Sequence, residues 1–210
     1  MKDYSLDSID AKLGEMLTNS SHMFDLSMSC LLGDTNLDSI KENIYSTDKL
    51  INELHREIRR ELILHSAVNS RNLDVPLLLA YMTMSKDIER IGDYCKNLFE
   101  IAESGNSFTQ GDDLDYLISL RDNISGFIVS LQTCLSIDEE SKVQELISSG
   151  AELGKEIDEK ITSLLQNKSE VQYPVATTLF YRYLKRINLH IVNAATAIIM
   201  PTDKIDYIDE

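Results

Sequence analysis

Tryptophan is absent from this sequence, and its 210 residues include only 8 glycines and 3 prolines. Sheet folds of this length need frequent turns, and turns draw on glycine and proline. Such scarcity excludes a sandwich, a barrel or a doubly wound sheet and leaves an all-helical fold. Positive charge is scarce too: 20 Lys plus Arg stand against 35 Asp plus Glu, a formal charge of -15. A surface this acidic repels phosphate backbones, so direct nucleic-acid binding is not expected. The densest basic cluster is Arg56, Arg59 and Arg60, interleaved with Glu53, Glu57 and Glu61. It reads as i,i+4 pairing along a helix surface and not as a phosphate track.

The 3 cysteines, Cys30, Cys95 and Cys134, are widely spaced, form no CxxC pair and sit in apolar helical surroundings. Buried free thiols in a reducing compartment are expected. No apolar run approaches the ~20 residues of a membrane span. The longest, Val75 to Met82, contains Pro76 and Tyr81. The first residues, Met1 to Asp7, carry no apolar signal core, so a cytoplasmic location is expected, peripheral to a membrane through a partner.

What the chain does contain is helical periodicity, cut by breakers into six long segments. The first runs from about Asp7 to Leu32 and stops at Gly33-Asp34-Thr35-Asn36. The second, about Leu37 to His65, carries Leu50, Ile51, Leu54, Ile58 and Leu62 on one face. The third opens at Asp74-Val75-Pro76, where Asp can cap and Pro suits the first turn. It continues to about Glu103 and yields to Ser104-Gly105-Asn106-Ser107, the best internal boundary together with Gln110-Gly111-Asp112. The fourth presents Leu117, Leu120, Ile124, Phe127, Leu131 and Leu135; the fifth starts near Asp138-Glu139-Glu140. The sixth runs from about Pro174 to just before Pro201, and the polar tail from Thr202 is expected to fray. Segments near 25 residues, against a mean near 11–12 for globular helices, indicate an antiparallel bundle.

The halves resemble each other. Ile88-Glu89-Arg90-Ile91-Gly92-Asp93-Tyr94, followed by Asn97, aligns with Leu184-Lys185-Arg186-Ile187-Asn188-Leu189-His190, followed by Asn193. A tandem duplication of a three-helix unit is the expected organisation, residues 1–106 and 107–210.

On a wheel, Ile88, Ile91, Cys95, Leu98, Phe99 and Ala102 of the third segment face the core. Glu89 and Asp93 stand one turn apart on another face, with Lys96 and Asn97 beside them. A like-charge i,i+4 pair costs a few tenths of a kcal/mol unless a cation lies between the carboxylates. Paired carboxylates supply hard oxygen ligands for a divalent or ferric ion, Fe, Zn, Mn or Mg. Asp48 and Asn52 lie one turn apart on the second segment, with His55 and Arg59 continuing their stripe. Antiparallel packing brings them towards Glu89 and Asp93. One weak metal site is therefore expected at Asp48, Asn52, Glu89 and Asp93; the alternative is a hydrated face paired with Arg59 and Lys96.

The run Asp87-Ile88-Glu89-Arg90-Ile91-Gly92-Asp93, with Asn97 after it, resembles the signature of the PhoU family of phosphate-uptake regulators. The family's two three-helix repeats each carry a Leu/Ile-Glu-Arg-Ile-Gly-Asp helix whose E/DxxxD pairs are associated with surface metal clusters. Asp48-Lys49-Leu50-Ile51-Asn52 and Leu54-His55-Arg56-Glu57-Ile58 resemble its acidic second helix, with Asn52 where an Asp is usual. The second half departs: Lys185 stands in the place of Glu89, Leu189 in that of Asp93, and Asn188 replaces the Gly. The second metal site is expected to be lost, with the Lys185 ammonium facing a fifth-helix pair, Glu152 and Glu156. The resemblance implies a six-helix bundle, a non-enzymatic adaptor, and partners such as the phosphate transporter's ATPase and a sensor histidine kinase. A homodimer is expected.

Catalytic constellations are missing from the sequence. There is no P-loop, HExxH, GxSxG or Gly-rich dinucleotide loop. A carboxylate-bridged di-metal oxidase needs Glu-x-x-His pairs. Here His22, His55, His65 and His190 follow Asn19, Asn52, Leu62 and Ile187 at that spacing. An accessory role at another ion or phosphate carrier is the remaining alternative. The methionines Met16, Met23, Met28, Met82 and Met84 are expected to fill core gaps.

Overall fold

The computed structural model describes residues 6–33, 35–69, 73–109, 113–137, 139–166 and 174–207. Within them lie six helices: α1 (Asp7–Leu32), α2 (Leu37–Val68), α3 (Val75–Glu103), α4 (Leu114–Ser136), α5 (Glu140–Gln166) and α6 (Pro174–Ile199). Among the described residues there is no strand. Asp34, Gln110 to Asp112 and Asp138, singled out above as turn or capping residues, lie outside the described residues.

Local chemistry sets the helix ends. The Asn36 side chain accepts from Asp38 N at 3.0 Å, and Asp74 Oδ1 accepts from Leu77 N at 3.0 Å. Each satisfies a backbone donor that the first turn leaves free. Pro76 falls in the first turn of α3, where its missing N–H costs nothing. At the other end of α3, Gly105 adopts φ +81°, its N–H reaches Ala102 O at 2.9 Å, and Asn106 N reaches Ile101 O. This is a Schellman closure, which glycine enters without a Cβ penalty. The chain then turns back so that Phe108 N donates to Leu31 O at 2.7 Å and its ring meets Phe180. Helix α2 continues to Val68, past the expected end near His65, because the first turn-forming residue is Asn69.

Helix α1 packs on α2 and α3, and α4 and α5 pack with α6. These two groups meet chiefly along α3 and α6, and also along α1 and α4. One core runs through both. It takes Met16, Phe24 and Met28 from α1, Ile44 and Ile58 from α2, and Ile88, Ile91, Cys95, Leu98 and Phe99 from α3. From the other group it takes Ile124, Ile128, Ile157, Phe180, Leu184, Ile187 and Ile191. The aligned positions Ile88 and Leu184, Ile91 and Ile187, Cys95 and Ile191 are all buried, as the expected register requires. All three cysteines are free and buried, and burial pushes each thiol up from its ordinary value.

Two features differ from expectation. The tail does not simply fray after Pro201. A short 3-10 turn, Thr202–Lys204, leads to Ile205, which is buried, and Asp206 N donates to Thr196 Oγ1 at 3.2 Å. One apolar side chain and one capped hydroxyl are enough to dock it. The substitution of Asn188 for glycine also has a compensation on the neighbouring helix. The small residue that admits close packing is Gly150 of α5, whose carbonyl accepts from Asn188 Nδ2 at 2.7 Å.

A Cβ at Gly150 lies 2.4 Å from Val192 Cγ2, whereas one at Gly126 meets nothing within 4 Å. Val192 is β-branched and stiff, so it has little room to yield. Gly150→Ala is expected to destabilise the protein by about 1 kcal/mol or more, overpacking outweighing the gain in helix propensity. Gly126→Ala, on an exposed helix face, stabilises it by up to about 1 kcal/mol. Urea unfolding of both variants checks the opposite signs.

A charged groove between α2 and α3

Gly92 sets the spacing of α2 and α3. A Cβ there would stand 2.9 Å from Ile51 Cδ1, so with glycine at this position the tip of Ile51 lies directly against the α3 backbone and would have to shift to admit an alanine. Asp48, Asn52 and His55 sit within one turn of Ile51, and Glu89 and Asp93 flank Gly92. The close approach therefore brings both polar stripes to one place.

There a groove of about 430 Å³ is lined by Asp48, Lys49, Asn52, His55, Arg56, Arg59, Lys86, Glu89 and Arg90. Three residues of the expected metal site, Asp48, Asn52 and Glu89, line it. Asp93 stands beside it, tied in through Arg90 and Lys96.

The carboxylates already have cations. Lys96 Nζ donates to Asp48 Oδ2 at 3.0 Å and lies 3.7 Å from Asp93 Oδ1. Arg90 Nη1 donates to Asp93 Oδ2 at 2.8 Å, with its Nε 3.6 Å from Glu89 Oε2. Asn52 turns its amide back, donating from Nδ2 to Asp48 O at 3.0 Å. Among the described residues, no three His, Cys, Asp or Glu side chains converge as a metal centre would require. As arranged, this donor set does not fit a metal ion: Lys96 occupies the position between Asp48 and Asp93 that a cation would take.

Proton affinities follow the same geometry. Glu89 is raised above the usual carboxylate range, first by burial and then by Asp93, with Arg90 and Arg59 opposing. Lys96 is partly desolvated, which lowers it, but its hydrogen bond to Asp48 and the charges of Asp48 and Asp93 prevail and hold it above its ordinary value. His55 is pushed down to about 4, by burial first and then by Arg59 and Arg90. It is 5% exposed, and among the described residues its Nε2 has no hydrogen-bond partner.

The basic character of this groove runs against the reading of the Arg cluster as i,i+4 pairs. Among the described residues, none of Arg56, Arg59 and Arg60 forms an ion pair with Glu53, Glu57 or Glu61. Glu61 instead pairs with Lys12 of α1 at 2.9 Å, and Arg56 Nε donates to Asn52 O at 3.1 Å. The neighbouring helix supplies what the α2 sequence lacks, adding Lys86 and Arg90 to the same lining.

At the aligned position of α6, Lys185 bonds to Asp158 of α5. The acid facing it is thus Asp158 in place of the expected pair Glu152 and Glu156, and Glu156 instead helps to raise the Tyr116 hydroxyl above its ordinary value, after burial. Between the two helix groups lies a polar contact that sequence reasoning missed. Asp87, fully buried on α3, accepts at Oδ1 from His190 Nδ1 of α6 at 2.8 Å. Tyr94 stacks on the His190 ring with centroids 5.7 Å apart.

The PhoU domain family model matches residues 13–102, the stretch that forms most of α1, all of α2 and nearly all of α3. The chain is also similar to the phosphate-specific transport system accessory protein PhoU of Escherichia coli (strain K12). They are 33% identical over 85 residues, 38% of this chain and 34% of that protein. The protein of the same name from Edwardsiella tarda is 33% identical over 81 residues, 36% of this chain and 32% of the relative. The matched stretch spans about a third of the length of each relative.

Proposed function

We propose, for a chain whose residues 13–102 are a PhoU domain, the role of a non-enzymatic accessory regulator of phosphate transport. The observation that carries this reading is the coincidence of the matched segment with α1 to α3, including the groove-forming faces of α2 and α3. Residues 107–210 act as a second three-helix repeat, supported by the shared register of α3 and α6. The protein works by binding, on the cytoplasmic side of the transporter's membrane, to transporter components and a sensor kinase. No helix of the described residues is long and apolar enough to cross a membrane. Exposed apolar side chains concentrate at the end of α2 and the start of α3, among them Ile63, Val68, Val75 and Leu79, which suits protein docking. Lys96 and Arg90 balance the acids of the groove in this reading, without a bound metal.

Disruption of the gene in its host tests the role. Under phosphate excess, the disrupted strain is expected to express a phosphate-starvation reporter and to take up phosphate at an altered rate. Complementation with the intact chain reverses both. Unchanged uptake and reporter activity, or a defect confined to another ion, would refute the proposal.

A further inference from the structure

The groove between α2 and α3 is a basic site on an acidic protein. Its lining contributes five cationic side chains, Lys49, Arg56, Arg59, Lys86 and Arg90, against two carboxylates, Asp48 and Glu89. The chain as a whole carries -15, so this local excess runs opposite to the bulk field.

Some of that charge is spent within the protein. Arg90 is engaged by Asp93 and lies near Glu89; Lys49 lies 3.9 Å from Glu53, and Lys86 lies 3.9 Å from the buried Asp87. Arg59 has no ion pair with any carboxylate of the described residues, although Glu89 feels its field. Beside them His55, almost wholly buried, lines the groove with an Nε2 that no described residue satisfies. A buried ring nitrogen without a partner is costly unless something outside the chain supplies one.

We propose that this groove binds a phosphoryl oxyanion, either free phosphate or a short polyphosphate chain, held by Arg59, Lys86 and Arg90 with His55 Nε2 as a further contact. Guanidinium forks match the oxygens of such an anion, and the Lys86 ammonium adds a point charge. Apart from the His55 imidazole, the lining has no aromatic ring and no apolar side chain. A nucleobase would find nothing there on which to stack, which favours a ligand that is charged throughout. The site stands on the groove's lining and not on the transport role, so either can fail without the other.

Titration calorimetry of the full chain at low salt, with a chelator present, tests this using inorganic phosphate, pyrophosphate and tripolyphosphate in separate arms. Saturable one-to-one binding is expected, accompanied by a shift of the His55 ring resonances. Saturation by phosphate alone identifies the free ion; saturation only by the longer anions identifies the chain. The variant R59A/K86A is expected to lose at least tenfold in affinity and to keep its helical circular dichroism, because both side chains are exposed. Arg121→Ala, on α4 where Arg121 pairs with Asp122, retains full affinity. Equal binding by R59A/K86A and the intact chain would overturn the site. So would binding that requires added manganese, zinc or iron, equally tight binding of an acidic peptide, or no binding in any arm.

Discussion

Replacing His190 with alanine is expected to destabilise the protein by about 3–5 kcal/mol, the usual cost of leaving a buried charge without its partner. Asp87 has no solvent exposure; Oδ1 takes its hydrogen bond from His190 Nδ1 at 2.8 Å, and among the described residues Oδ2 has no partner. The nearest other cation, Lys86, stands 3.9 Å from Oδ1 and is itself half-exposed. The alanine variant also removes the ring on which Tyr94 stacks. The loss falls on the α3–α6 contact that joins the two helix groups, so it weakens the whole bundle. A second variant separates the charge effect from packing. In D87L/H190L both polar partners are replaced by apolar groups, and most of the stability returns. Urea unfolding measures both. A loss below about 1 kcal/mol in His190→Ala would contradict the assignment, the expectation resting on a buried carboxylate whose remaining cation, Lys86, stands 3.9 Å away.

Acidification supplies the second large effect. Folded His55 takes its proton only near pH 4, against 6.5 for an unperturbed imidazole. Between those values the unfolded chain binds more protons than the folded one, so stability rises with pH across the window and is lost as pH falls through it. Going from pH 7 to pH 5 removes about 2 kcal/mol through this one residue. Glu89 acts in the opposite sense. Its folded value is raised, so the folded state holds a proton to higher pH and gains stability as pH falls through that value. Comparison of the intact chain with His55→Leu at both pH values isolates the imidazole. The intact protein is expected to lose about 2 kcal/mol more than the variant between pH 7 and pH 5. Parallel losses in the two proteins would show that His55 is not the acid-labile group.

The helices were legible in the sequence wherever a breaker had a mechanical job. Asp74-Val75-Pro76 opens α3 through a side-chain cap and a tolerated proline, and Ser104-Gly105 closes it through a left-handed glycine. These are local rules acting over four or five residues. The convergence of Asp48, Asn52 and Glu89 was legible too, since helical stripes on antiparallel neighbours must meet. The sign of the groove was not. Read along α2 alone, Arg56 and Arg60 each have a glutamate three residues before them, Glu53 and Glu57, whereas Arg59 has none one turn away, and only the packing of α3 adds Lys86 and Arg90 to the same lining. The cations that hold the carboxylates were half visible: Lys96 was considered as a partner, while the inward reach of Arg90 depends on its rotamer. Asp87 and His190 lie 103 positions apart, and no periodicity links them. Asp158 escaped notice for the same reason, because the choice among α5 acids facing Lys185 depends on the helix crossing.

We propose that this chain, whose residues 13–102 match the PhoU domain family model, regulates phosphate transport by physical attachment to the transporter. The most direct test is the binding of the purified full chain to membrane vesicles from its host, prepared with and without the phosphate transporter. The account predicts saturable binding to transporter-containing vesicles and loss of that binding when the transporter is absent. Equal binding to both preparations, or to neither, would contradict it.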